Sequence, residues 1–83
     1  MKAKLLRKFR KKADKMVTFL VCERDGVVGS EVRWMENRAR FFLPSQYEEA
    51  HALFEKKYRE RMIIMIRWHK WHLQNPITPK QTT

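Results

Sequence analysis

Lys2, Lys4, Arg7, Lys8, Arg10, Lys11, Lys12 and Lys15 crowd into the first 15 residues beside a single acid, Asp14. Seven of the chain's ten net positive charges therefore sit in this segment. A block this dense repels itself unless a polyanion, an anionic surface or open solvent lies against it. Its natural chemistry is neutralisation of phosphates with release of their counterions. Lys4, Arg7, Lys8, Arg10, Lys11 and Lys12 are thus the residues expected to contact the phosphate backbone of DNA or RNA. An acidic protein or a membrane surface would answer the same charge. The block has no Trp and one Phe, whereas helices that lie on membranes carry several large apolar groups.

Two further groups have chemistry in their spacing. Arg33, Arg38 and Arg40 alternate with apolar residues as a strand would, and Phe42 next to them offers a ring on which a base could stack. Arg67-Trp68-His69-Lys70-Trp71-His72 places His69 and His72 three apart, on one side of a helix. No third ligand accompanies them, and structural zinc takes four, commonly including Cys. No metal or cofactor is expected. No nucleophile, base and orienting group can be assembled around His51, so catalysis is not expected either, although a small nuclease using His51 with Arg33 or Arg40 can be drawn.

Composition bounds the class. With 83 residues, 43% of them apolar, the chain is one small folded domain and is not wholly disordered. A core of this size supplies only about 3–5 kcal/mol of net stability. Cys22 is the single cysteine, so no internal disulfide can form; this favours a reducing, cytoplasmic setting. Leu5 and Leu6 are followed at once by charges, unlike the apolar stretch of a signal peptide. The longest apolar run, Met62 to Ile66, is far short of the roughly 20 residues of a membrane span.

The elements follow from periodicity. Leu5, Leu6, Phe9 and Ala13 recur at helical spacing and predict a helix over 2–14. Residues 16–24 are β-branched and aromatic, as are 27–35 and 38–43, which predicts three strands. Asp25-Gly26 is a hairpin signal of the type with two positive-φ residues, and Glu36-Asn37 supplies the second turn. Two-residue turns at both places set Phe19 opposite Val32, Val17 and Ala39 opposite Trp34, Val32 opposite Phe41, and Arg33 opposite Arg40. Val17, Phe19, Val32, Trp34, Ala39 and Phe41 would then share the buried side. Thr18, Arg33, Arg38, Arg40 and Phe42 would share the open one, with Glu31 placed to neutralise the arginines. Gly29 is a candidate bulge.

Ser45 with Glu48 reads as a capping box for a last helix ending near Asn75-Pro76. Tyr47, Ala50, Phe54, Tyr58, Met62 and Met65 form one apolar stripe, continued by the histidines. Ile64, Trp68 and Trp71 form a second, about a quarter circle round. Such a helix is about 45 Å long, more than a small sheet or the short first helix can cover. The expected architecture is α+β: α-β-β-β-α order, a three-stranded antiparallel meander with two helices on one face, in one domain over 1–75, followed by a flexible polar tail over 76–83.

Double-stranded-RNA-binding domains share this order of elements. They carry lysines at the start of their second helix, where this chain has Glu48 and Glu49, so the likeness stops at the order and implies no function. The functional expectation is a small, basic, non-enzymatic nucleic-acid-binding protein contacting phosphates through its N-terminal helix, with a dimeric tendency through the C-terminal half of the last helix. The rival is a protein-interaction module, an inhibitor or adaptor docking on an acidic protein or ribonucleoprotein. Its interface would be Ile64, Trp68 and Trp71, since Trp dominates binding hot spots.

Overall fold

The computed structural model describes residues 2–75; the tail expected over 76–83 lies outside the described residues. Helix α1 spans Ala3–Met16, strands β1, β2 and β3 span Thr18–Arg24, Val27–Met35 and Arg38–Phe42, and helix α2 spans Tyr47–Gln74. The strands form one antiparallel meander in the order β1-β2-β3. The α-β-β-β-α order is the one that the sequence predicts. β1 begins later than expected because Met16 still belongs to α1. The Val17 N–H makes the last helical bond, to the Ala13 carbonyl at 2.8 Å, and the backbone then goes straight into extended geometry.

Asp25 and Gly26 have φ of 54° and 81°, the two positive values that a hairpin matched to strand twist requires. The β1–β2 register is as expected, with Phe19 opposite Val32. The β2–β3 register is not. The turn starts in the expected way, Met35 pairing with Arg38, but Arg33 then pairs with Ala39 and Val32 with Arg40. The ladder slips between Arg33 and Met35, so the irregularity lies at Trp34 and not at Gly29. One residue of slip exchanges the two sides of β3. Phe42 becomes the buried ring, 1% exposed, and Phe41 turns to the open side.

Gly29 explains why that arrangement closes. A Cβ built there would lie 2.5 Å from Phe41 Cζ and closer still to the Phe42 carbonyl oxygen. The Phe41 ring therefore lies across a residue with no side chain, and β3 comes closer to β2 than any other residue would allow. Inside, Val32, Phe42 and Ala50 form the buried centre, with Phe19, Trp34, Leu53 and Phe54 packed around it. Truncating Phe42 to Ala would cost about 3–5 kcal/mol, which is all that a core of this size supplies.

The start of α2 also differs from expectation. Pro44–Gln46 forms a turn of 3-10 helix, which takes Ser45 out of the capping position. Gln46 closes that turn, its Oε1 accepting from the Leu43 N–H at 3.0 Å, and α2 itself starts from Gln46 with no side-chain cap. At the far end the Asn75 N–H and Nδ2 both donate to the Trp71 carbonyl, at 2.8 and 3.0 Å. Asn75 leaves helical geometry directly before Pro76.

The twenty-eight residues of α2 extend about 42 Å. The sheet is covered by its first half, while α1 lies along it and reaches the sheet less. The radius of gyration is 17.1 Å, against about 12 Å for a compact chain of this length. The second half of α2 accordingly projects past the sheet. Gly29→Ala should push β3 away from β2 and destabilise the fold by about 1–3 kcal/mol. The melting temperature would then fall by about 4–8 °C per kcal/mol. An unchanged melting curve would show that Phe41 does not need the space.

Candidate functional site

Helix α1 meets α2 through Phe9 and Ala13, which are buried, and Leu5 and Leu6, which are half-buried. Phe9 packs edge-on against His69 of α2 at 5.9 Å between ring centroids. At about 100° per residue, this contact line divides the cations into two sets. Arg10 and Asp14 fall on one side and share a hollow with Phe54, Tyr58 and Met62 of α2. Lys4, Lys8, Lys12 and Lys15 fall on the opposite side, with Arg7 and Lys11 on the outer crest. All of these are exposed. Among the described residues no carboxylate lies within ion-pair distance of any of them. The expected basic face is thus five unpaired lysines spread over the flank and crest of α1 along about 16 Å. Arg10, also expected in it, has turned toward α2.

The expected open-face arginines do not come together. Arg33 faces the open side, where it donates to Glu31 Oε1 at 3.3 Å and to the Glu36 carbonyl oxygen at 2.7 Å. Glu31 also accepts from Arg24 at 3.0 Å. The expected neutralising role of Glu31 is therefore real, but it serves Arg24 and Arg33. Arg40 and Arg38 have gone to the helix side with the register slip. The Arg40 guanidinium lies over the Phe42 ring at 4.7 Å. Arg38 lines a hollow at the sheet's end beside Trp34 and Lys57.

Ile64, Trp68 and Trp71 are brought together as expected, and they are exposed: Trp68 is 64% and Trp71 49% accessible. Their rings lie 6.0 Å apart at 18° to each other. The reason for their exposure differs from expectation. On α2 they continue the line of Ala50, Phe54 and Arg61, which faces the sheet. The stripe that was expected to face the sheet throughout instead turns to α1 from Tyr58 onward. His69 follows it, whereas His72 sits edge-on against Trp68 and Trp71, at 4.4 and 5.2 Å. The two histidines thus do not converge. Among the described residues no group of three or more His, Cys, Asp and Glu is placed to hold a metal ion, and no helix is long and apolar enough to cross a membrane.

Sequence reasoning did not single out Lys57, Arg61 and Arg67 as one set with Arg38. A signal was present: from Arg61 to Gln74 there is no acid at all. Comparison with models of known protein families, with curated proteins and with solved structures finds no match.

The Tyr58 phenol is perturbed by its surroundings. Burial first, and then the nearby Asp14 carboxylate, raise its phenol above the ordinary 10.0, while the Arg10 charge draws it back; the phenol O–H itself donates to the Arg10 carbonyl at 3.4 Å. The neutral phenol is the form that the fold favours. Stability tied to it is fully present below the unfolded value near 10 and is lost as pH rises through the higher folded value. In a Tyr47→Phe background the remaining phenol should ionise above 10.0 by ultraviolet difference absorbance, and Asp14→Asn should move that ionisation down. Ionisation at the ordinary value would separate Tyr58 from Asp14.

Proposed function

We propose that the chain is a small, non-enzymatic nucleic-acid-binding protein that contacts phosphates through α1. The observation that carries this reading is the outward surface of α1 with Lys4, Lys8, Lys11, Lys12 and Lys15, exposed and without an ion-pair partner among the described residues. Lysines held this way on a docked helix need no rearrangement to meet a row of phosphates. Each contact releases condensed counterions, so affinity should fall steeply with salt. The single free cysteine fits a reducing, cytoplasmic compartment for such a protein. Changing Lys4, Arg7, Lys8, Lys11 and Lys12 to Gln should weaken binding to every sequence. The slope of log affinity against log salt should flatten by about 0.9 per lost contact, about 4.5 for all five. Fluorescence-anisotropy titrations at two salt concentrations measure both; titrations identical to those of the parent would remove the proposal.

A second reading rests on a different observation. Ile64, Trp68 and Trp71 make an exposed apolar patch of the kind that marks protein interfaces. On this reading the chain is a protein-interaction module, or a homodimer through the C-terminal half of α2. Light scattering coupled to size-exclusion chromatography at about tens of micromolar should then show a concentration-dependent mass that Trp68→Ser with Trp71→Ser abolishes. A monomer at all concentrations would rule out the homodimer.

A further inference from the structure

The sheet-facing line of α2 outruns the sheet. The sheet ends at Trp34, Met35 and Arg38, and there a hollow of about 260 Å³ opens between this rim and Lys57, Arg61 and Ile64 of α2. Beyond it, a second hollow of about 430 Å³ is lined by Ile64, Arg67, Trp68 and Trp71. Ile64 borders both, so the two hollows lie end to end, a trough divided by that side chain that runs from the sheet rim along the projecting half of α2. Its charge is one-sided: Arg38, Lys57, Arg61 and Arg67 line it, against Glu60 alone.

The aromatic rings in the trough are not equivalent. The Trp34 ring already carries the Lys57 ammonium, 5.0 Å from its centroid. Trp68 and Trp71 carry no cation among the described residues, lie nearly parallel, and are each braced edge-on by His72. Two flat exposed rings, set in order along a cationic trough, match the combination that holds unpaired nucleic acid: bases stack on aromatic rings while cations follow the backbone. Bases in a duplex have both faces stacked on their neighbours and cannot use such a platform. A second copy of this chain would bring the same arginines to the trough, and like charges across an interface disfavour it.

We propose that this trough binds single-stranded nucleic acid, with bases stacked on Trp68 and Trp71 and phosphates against Arg38, Arg61 and Arg67. The proposal rests on the nucleic-acid-binding reading and deepens it, giving α1 the strand-independent contact and α2 the choice of unpaired bases.

The test is titration of the full chain with a short oligothymidine and with a mixed-sequence duplex, following tryptophan fluorescence and anisotropy together. The oligothymidine should quench the fluorescence strongly and the duplex weakly. Trp68→Ala with Trp71→Ala should lower oligothymidine affinity by roughly tenfold to a hundredfold and leave duplex affinity and its salt slope unchanged. Trp68→Phe with Trp71→Phe should restore part of the loss. Arg61→Gln with Arg67→Gln keeps both rings and should flatten the single-strand salt slope by about 0.7 per residue. If the alanine variant binds oligothymidine as the parent does, the proposal falls, while the α1 reading stands provided its lysine variant still loses affinity. Absence of binding to either nucleic acid at low salt overturns both. Fluorescence that depends on protein concentration alone would show that a second copy covers the rings, which also overturns the proposal.

Discussion

Helix α2 has to bury two lines of side chains about a quarter-turn apart, and no single neighbour can cover both. Ala50, Leu53 and Phe54 go against the sheet; Tyr58 and His69 go against α1, through the Arg10 carbonyl and the Phe9 ring. This division of one helix between two partners holds the fold together. It docks α1, a helix of 14 residues that would be marginal alone, and so sets which of its cations face outward. It also leaves the sheet-facing line of α2 bare once the sheet has ended.

The sheet end is shaped by a local irregularity and a missing side chain. The slip at Trp34 turns Phe42 inward and Phe41 outward, and Gly29 gives Phe41 a place to lie. The same slip carries Arg38 and Arg40 away from Arg33, so like charges are not set opposite one another on the open side. That side keeps a satisfied group, Glu31 between Arg24 and Arg33. These are exposed pairs of small energetic weight, and their effect is chiefly to tie up the arginines. Among the described residues, the cations without an ion-pair partner lie on α1, at Arg38 and Arg40 of β3, and along α2.

The two exposed features differ in kind. The flank of α1 is pure charge, with flexible lysines and no flat apolar surface among them. The trough on α2 joins fixed rings to arginines and has a shape. A polyanion can use the first without regard to its sequence or structure, whereas the second asks for exposed flat groups beside the charge. Both lie outside the packed core, so either can change with little cost in stability.

The sequence by itself determined the order of elements and the ends of most of them. Those signals are local: the helical recurrence of Leu5, Phe9 and Ala13, the positive φ values at Asp25-Gly26, and the avoidance of helix before Pro76. It also determined the charge asymmetry and the exposure of Trp68 and Trp71, because a helix longer than its neighbours must leave something bare. Only the tertiary structure decided the rest. The register of β3 turned on whether Phe41 or Phe42 fitted between Val32 and Ala50, and on space at Gly29, neither of which alternation along a strand can express. Ser45 lost its capping role because Pro44 began a tighter turn, which the Gln46 side chain closes onto Leu43. The direction of each stripe on α2 depended on where the sheet stops and α1 begins. A helical wheel gives the angle between two stripes, but what each of them faces is set by elements distant in the chain.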